Sequence, residues 1–320
     1  MPMETQNRIR HFSVSFFSII LGLGGLTIAL EKMAGLLGTS QSLPKFFLAV
    51  TVGVFLTIGL IFLYRAVKYP EEVKKEYSNS VKYNFFSTIS IGLLLLSAAF
   101  LEYSSGISKV LWVAGTSMHL YFTYRTLSFW VFHKEHSFTS FNPIWFIPVV
   151  GNLLVPVAGT VHFANEISWF FFSIGMVFWA VLFTTFMYRI IFHEALPEKI
   201  VPSLAILIAP PAIGFISYVK LTGQLDGFAR LMYYIALFLF TFVFGRMREY
   251  MKMNFYLSWW AFSFPISSFT IATVLMYHKS GIALFKGLSF ALAAFLIAVV
   301  SFTAIRTIFA IGKKELCVPE

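Results

Sequence analysis

The chain has 320 residues, 58% hydrophobic and only 12% charged, with a formal net charge of +10, and its mean hydropathy is +0.79. Soluble domains carry about a quarter charged residues, so composition excludes a soluble enzyme or a soluble nucleic-acid binder. Basic residues gathered in loops beside a membrane account for the positive surplus. A single cysteine, Cys317, rules out an internal disulfide and a multi-cysteine metal site.

Ten stretches contain no Asp, Glu, Lys or Arg: 11–30, 46–64, 83–101, 110–124, 136–165, 167–188, 200–219, 231–245, 253–278 and 287–305. A helix needs about 20 apolar residues to cross ~30 Å of hydrocarbon. Irregular backbone cannot face lipid, and the runs are too long for barrel strands. The expected fold is therefore all-α and integral to the membrane, with ten transmembrane helices in one membrane domain over residues 1–320. Residues 1–11 precede the first helix and 312–320 form a tail. No small-x-small cleavage site follows Leu30, so the first helix is read as retained.

Along the chain, the first span carries Gly22, Gly24 and Gly25 and the third carries Gly92. The segment Glu71 to Lys82 is the one sustained polar connection, read as a solvated interfacial stretch. His119 lies deep in the fourth span with no ligand-type residue three or four positions away. His133 and His136 have helical spacing but stand in a loop beside Lys134 and Glu135, a weak basis for a metal site. The fifth span holds Pro148, Asn152 and Pro156, the seventh Pro210 and Pro211, and the ninth Phe262 and Pro265.

Odd helices begin near residues 12, 84, 143, 201 and 254, a two-helix unit repeated five times in parallel. All five prolines well inside spans fall on odd helices. Proline frees backbone carbonyls and bends a helix, which a bilayer tolerates only against protein or water. The five odd helices are thus expected to form an inner ring around a central pore, with the even helices outside. Glu102 and Glu166 sit at span ends, within reach of water. The N-terminus, the loops after even helices and the tail hold seventeen Lys and Arg, and the other side holds seven. That bias predicts both termini in the cytoplasm. Acidic residues divide ten to four, leaving both faces net positive, which favours anions over cations at both mouths.

Enzymatic constellations are missing: there is no Gly-rich phosphate loop, no Gly-x-Ser-x-Gly and no acidic pair within the spans. Neither a proton relay nor a cation-selective acidic ring can be built from these spans, and no periodic Arg series suggests a voltage sensor. No enzyme, cofactor, metal or nucleic-acid partner is expected. The mid-membrane polar inventory is Ser, Thr, Asn152 and His119. This leaves a passive anion path or a carrier using hydroxyls and broken-helix dipoles, with a non-transporting scaffold as a third class. Phe262, three residues before Pro265, is a candidate for a ring that blocks a lumen by excluding water, though most of the 39 phenylalanines must simply pack.

The ninth-span motif Phe262-Ser-Phe-Pro-Ile-Ser-Ser-Phe-Thr-Ile-Ala272 resembles the tellurite-resistance/dicarboxylate transporter family. So do Asn142-Pro-Ile-Trp-Phe-Ile-Pro-Val-Val-Gly-Asn-Leu-Leu-Val-Pro156 and Ala209-Pro-Pro-Ala-Ile-Gly-Phe-Ile-Ser-Tyr218. The first span matches more loosely, with Ser18 where glycine is expected. The resemblance runs the length of the chain and extends to the plant guard-cell slow anion channels. It implies five hairpins around a pore, a homotrimer, and a multi-pass protein of the bacterial cytoplasmic (inner) membrane. The implied function is an anion-selective channel for chloride, nitrate or oxyanions, associated with tellurite resistance. Its gate would be Phe262; from their place on the odd helices, Pro148, Pro156, Pro210, Pro211, Pro265, Gly22, Gly92 and Asn152 are expected as pore kinks or lining. The alternative is a secondary transporter of small oxyanions or C4-dicarboxylates.

Overall fold

In the computed structural model, residues 8–79, 81–132, 141–163 and 165–318 are described. They contain helices and no strand. The long helices are α1 Val14–Leu37, α2 Ser42–Lys68, α3 Lys82–Phe100, α4 Ser105–Phe132, α5 Pro143–His162, α6 Asn165–Phe192, α7 Val201–Thr222, α8 Gly227–Phe244, α9 Leu257–Ser280 and α10 Ala283–Gly312. Nine of these described helices are long and apolar enough to cross a membrane. The exception, α4, is 28 residues long but is made more polar by Lys109, His119, Arg125 and several hydroxyls.

Burial separates the helices into two classes. Of the most apolar 18 residues, 78% are buried in each of α1, α3, α5, α7 and α9, against 17% in α2 and 33% in α6, α8 and α10. Helix α1 packs on α3, α3 on α5, α5 on α7, α7 on α9, and α9 returns to α1, so the five odd helices close a ring. Each even helix packs on the outside of its hairpin partner. Exposed residues such as Leu60, Val110, Val177, Phe238 and Ile308 coat this outer layer, as lipid-facing helices require.

Backbone geometry distinguishes the layers too. Each inner helix opens with three-residues-per-turn 3-10 geometry: Val14–Phe17, Lys82–Phe86, Pro143–Phe146, Val201–Ile208 and Leu257–Phe262, with a second such stretch at Gly151–Leu154 in α5. Runs beyond three or four residues are uncommon, because the hydrogen bonds are poorer and side chains at i and i+3 eclipse. The prolines mark where this geometry gives way to α-helix. Pro156 and Pro210 are second in their α segments, Pro211 and Pro265 third, and Pro148 second in the short turn Ile147–Val150. In a first turn the missing N–H costs nothing, so these residues start α segments and do not break them.

Two contacts set the ring's tightness and its anchorage. A Cβ on Gly22 would stand 2.3 Å from Ser263 Oγ, and one on Gly25 2.0 Å from Ser267 Oγ, so α1 and α9 approach through a seam of small residues. At the end bearing the chain termini, the Glu71–Lys82 segment is not merely solvated. Its helix Pro70–Ser78 buries Glu76, which pairs with buried Arg65. Glu76 also accepts from the Ser13 hydroxyl and from Val14 N (3.1 Å), capping the start of α1. Arg65 Nε donates to Arg10 O at 3.0 Å, and Arg8 reaches Leu316 O at 3.0 Å, so the segments around Arg8 and Leu316 meet on one face.

Removing one partner of a buried ion pair leaves a stranded charge, at a cost of about 3–5 kcal/mol. Glu76→Ala is therefore expected to lower the thermal unfolding midpoint of the detergent-solubilised protein far more than Glu72→Ala, whose partner Arg10 is half exposed. Gly25→Val should also destabilise, by about 1–3 kcal/mol of overpacking, read in the same melt.

Candidate functional site

Two cavities lie in line inside the ring. The larger, of about 80 Å³, occupies the 3-10 half, on the side of the chain termini. The smaller, of about 30 Å³, occupies the α half. Their walls follow the helix period. On α9 the larger cavity is lined by Ser258, Ala261 and Phe264, and on α7 by Ser203, Ile206, Ala209 and Ile213. On α5 the row is Ile144, Ile147, Val150 and Leu154, and on α3 it is Phe85, Thr88 and Ile91. Spacings of three are what a 3-10 segment places in one row. The rows continue into the smaller cavity through Leu95 and Ala98 on α3, Val157 on α5, Ile216 on α7 and Ile271 on α9. On α1 they run Ser18, Leu21, Gly25 and Ile28.

Three side chains belong to both walls: Leu154, Ile213 and Phe264. They form the partition between the cavities, and it is wholly apolar. Phe264 is half-buried, and its carbonyl accepts from the hydroxyls of Ser267 (2.7 Å) and Ser268 (2.9 Å). Most hydroxyls near the path are similarly spent on their own helix: Ser18 on Ser15 O, Thr88 on Phe85 O and Ser263 on Trp260 O. Ser203 differs. It is buried, lines the larger cavity, and its hydroxyl has no partner among the described residues. No cluster of three or more His, Cys, Asp or Glu suited to a metal occurs among the described residues.

A family model described as SLAC1, voltage-dependent anion channel, matches residues 11–308. This chain belongs to the SLAC1 family. It is 25% identical over 271 residues to the S-type anion channel SLAH2 of Arabidopsis thaliana, covering 82% of this chain and 52% of the plant protein. It is 22% identical over 321 residues to the tellurite resistance protein TehA homolog of Haemophilus influenzae, covering 98% and 95%. An uncharacterized transporter of Methanocaldococcus jannaschii is 25% identical over 338 residues, covering 97% and 98%. The chain spans about half the length of SLAH2 and 42% of the S-type anion channel SLAH3 of Arabidopsis thaliana.

Against this SLAC1-family frame, only part of the predicted lining stands on the path. Pro210 and Pro265 line the larger cavity. Phe262 does not. It is 1% exposed and packed among Phe244, Tyr250 and Trp259, with ring centroids 5.7, 5.1 and 5.6 Å away. It lines a separate cleft between α10 and the connection that follows α8, with Met247, Met251 and Phe295. The reason is periodicity: in the 3-10 segment Leu257–Phe262, Phe262 falls in line with Trp259 and meets it edge-on, while Ser258 and Ala261 lead to Phe264. Gly22 and Gly92 are helix contacts and not lining; a Cβ on Gly92 would meet Ile20 and Phe55 at 3.2 Å. Pro148, Pro156 and Pro211 lie off both walls. His133 and His136 fall outside the described residues.

Asn152 also points away from the path, and its position shows how α5 tolerates so broken a backbone. Its Nδ2 donates to Val149 O at 2.7 Å and to Thr123 Oγ1 at 2.9 Å. Thr123 donates to Pro148 O at 2.8 Å, Trp112 Nε1 to Val155 O at 2.8 Å, and Ser217 to Leu153 O. Carbonyls released by the irregular turns are thus taken up by α4, by α7 and by Asn152 itself, as an apolar medium demands. His119 completes this layer. It is fully buried, with Nδ1 2.9 Å from Ser90 Oγ, and it sits where a Cβ on Gly151 would lie 2.6 Å from Nε2.

Ser217→Ala strands the carbonyl of Leu153, next to the partition residue Leu154. Leaving a buried acceptor unpaired costs about 1–3 kcal/mol. The expected outcome is a lower thermal midpoint with a larger drop in the Ser217→Ala/Thr123→Val double variant.

Proposed function

We propose that this protein is an anion-selective channel of the cytoplasmic (inner) membrane, with both termini in the cytoplasm, and that Phe264, closed against Leu154 and Ile213, is its gate. The observation that carries the reading is the pair of aligned cavities separated by that apolar partition. An apolar constriction excludes water and so stops ions without binding them. Rotation of one phenyl ring joins the cavities. The weakly polar wall offers an anion no tight site, so selection rests on dehydration cost and on the positive surplus at the faces. The names of the plant relatives as anion channels support the same reading, and the tellurite resistance of the Haemophilus relative fits incidental permeation by an oxyanion. All ten long helices cross the bilayer in this reading, α4 included, because its hairpin with α3 is the full length of the others. Three protomers assemble, each with its own path, their mutual contacts drawn from the apolar outer helices.

Reconstituted in liposomes, Phe264→Ala is expected to raise chloride or nitrate flux many-fold over the parent, whereas Phe262→Ala leaves the flux within about twofold, an energy change below about 0.4 kcal/mol. Unchanged flux in Phe264→Ala removes it as the gate, and a rise in Phe262→Ala alone returns the role to that residue. Current carried mainly by cations overturns the selectivity. Saturable flux with counterflow of a dicarboxylate identifies a carrier instead.

A further inference from the structure

The charge-free run of the first span ends at Leu30, but α1 continues to Leu37, and Glu31 inside it is 3% exposed. One carboxylate oxygen is 2.6 Å from Lys32 Nζ, which also lies 3.4 Å from Glu102. The other oxygen, Oε2, is buried with no hydrogen-bond partner among the described residues. Lys220 stands within electrostatic reach of Glu31, Lys32 and Glu102. These four residues come from α1, from the turn that follows α3, and from α7.

Their register places them on the conduction path. Residues three and four apart share a helix face. Ile28, Ala98 and Ile216 line the smaller cavity. One turn further from the gate, the same rows reach Glu31 and Lys32 on α1, Glu102 just past the end of α3, and Lys220 on α7. The charges therefore form the next layer of the path, at the mouth opposite the chain termini. A carboxylate in the throat of an anion path is at first sight a defect, since it repels the permeating ion. It makes sense as an occupant.

We propose that Glu31 is a tethered anion, holding the site that Lys32 and Lys220 offer to a permeating anion, and that an anion enters this mouth by displacing the Glu31 carboxylate from Lys32. The proposal rests on the anion-channel reading above. The two lysines form the site; the permeating halide or oxyanion and the carboxylate compete for it. Protonating or neutralising Glu31 removes the competitor. The other charged and titratable groups near Glu31 already have roles. Tyr103 bonds Gln41 (3.5 Å) beneath Lys45. Lys279 donates to Gly223 O at 2.9 Å, Lys286 lies over the Tyr277 ring, and His278 packs at a tilt against Tyr277.

The test uses full-length protein carrying Phe264→Ala, so that the gate does not mask the mouth, in liposomes with chloride as the probe. Adding Glu31→Gln is expected to raise flux at low chloride several-fold and to lower the half-saturating chloride concentration. The gain should persist at about 1 M of an impermeant salt, where the Debye length is ~3 Å, because the Glu31 carboxylate is out of water. Glu102→Gln, at a carboxylate 60% exposed, should give a smaller effect that the same salt abolishes. Lys220→Gln should reduce flux several-fold. Acidification should raise flux through Phe264→Ala and lose that effect once Glu31 is Gln. If Phe264→Ala conducts chloride but Glu31→Gln changes neither half-saturation nor pH response, the tethered-anion role is wrong and the channel reading stands. If Phe264→Ala conducts no chloride, both fall. Should Glu31→Gln not yield a monodisperse protein, the acid response of Phe264→Ala and the Lys220→Gln variant decide: a flat pH response with undiminished Lys220→Gln flux overturns the proposal.

Discussion

In a bilayer every backbone N–H and C=O must find its partner inside the protein, and most of this architecture follows from how the five inner helices obey that constraint while staying bent. Each opens in a short 3-10 stretch, which still satisfies its own backbone, and then converts to α-helix. Prolines stand in the first α turn, where no N–H is wanted. Where α5 converts twice, donors from Thr123, Trp112, Ser217 and Asn152 absorb the carbonyls left over. The polar atoms of the spans are thereby used for structure, and the path they enclose remains close to apolar.

This division of labour explains the chemistry of the interior. Hydroxyls that would be candidate anion ligands are mostly bonded to carbonyls three or four residues earlier, leaving Ser203 as a rare free donor on the larger cavity. In the proposed channel reading, such a path closes by drying, and one apolar ring at the junction of two helix geometries would suffice for closure. Phe264 sits at that junction, its backbone pinned by Ser267 and Ser268, so its side chain has freedom while its main chain does not. Ionised groups enter only at the mouths, where Arg65 and Glu76 anchor the termini side and Glu31, Lys32, Glu102 and Lys220 crowd the other.

Much of this was legible in the sequence. Charge-free runs located the spans, and prolines confined to odd helices announced an inner ring, because a bent helix needs protein or water beside it. What misled was the assumption that a polar or kinked residue within an inner helix must face the lumen. Asn152 faces outward because the carbonyls of α5 need it more than the path does. Phe262 was one step off the lining row because the segment before Pro265 turns every three residues, not every 3.6, and no composition signal reports that change. A spacing of three places Ser258, Ala261 and Phe264 in one row on the cavity wall.

The sequence by itself determined the membrane setting, the all-helical class, the repeat of five hairpins and the scarcity of ionisable groups along the path, since each follows from local composition and period. Only the tertiary structure decided which phenylalanine partitions the two cavities, which polar side chains serve backbone carbonyls, and that Glu31 and Lys32 meet Glu102 and Lys220. Those outcomes depend on helix phase and on neighbours more than 60 residues away in the chain, and phase accumulates over several turns whose pitch the tertiary packing sets.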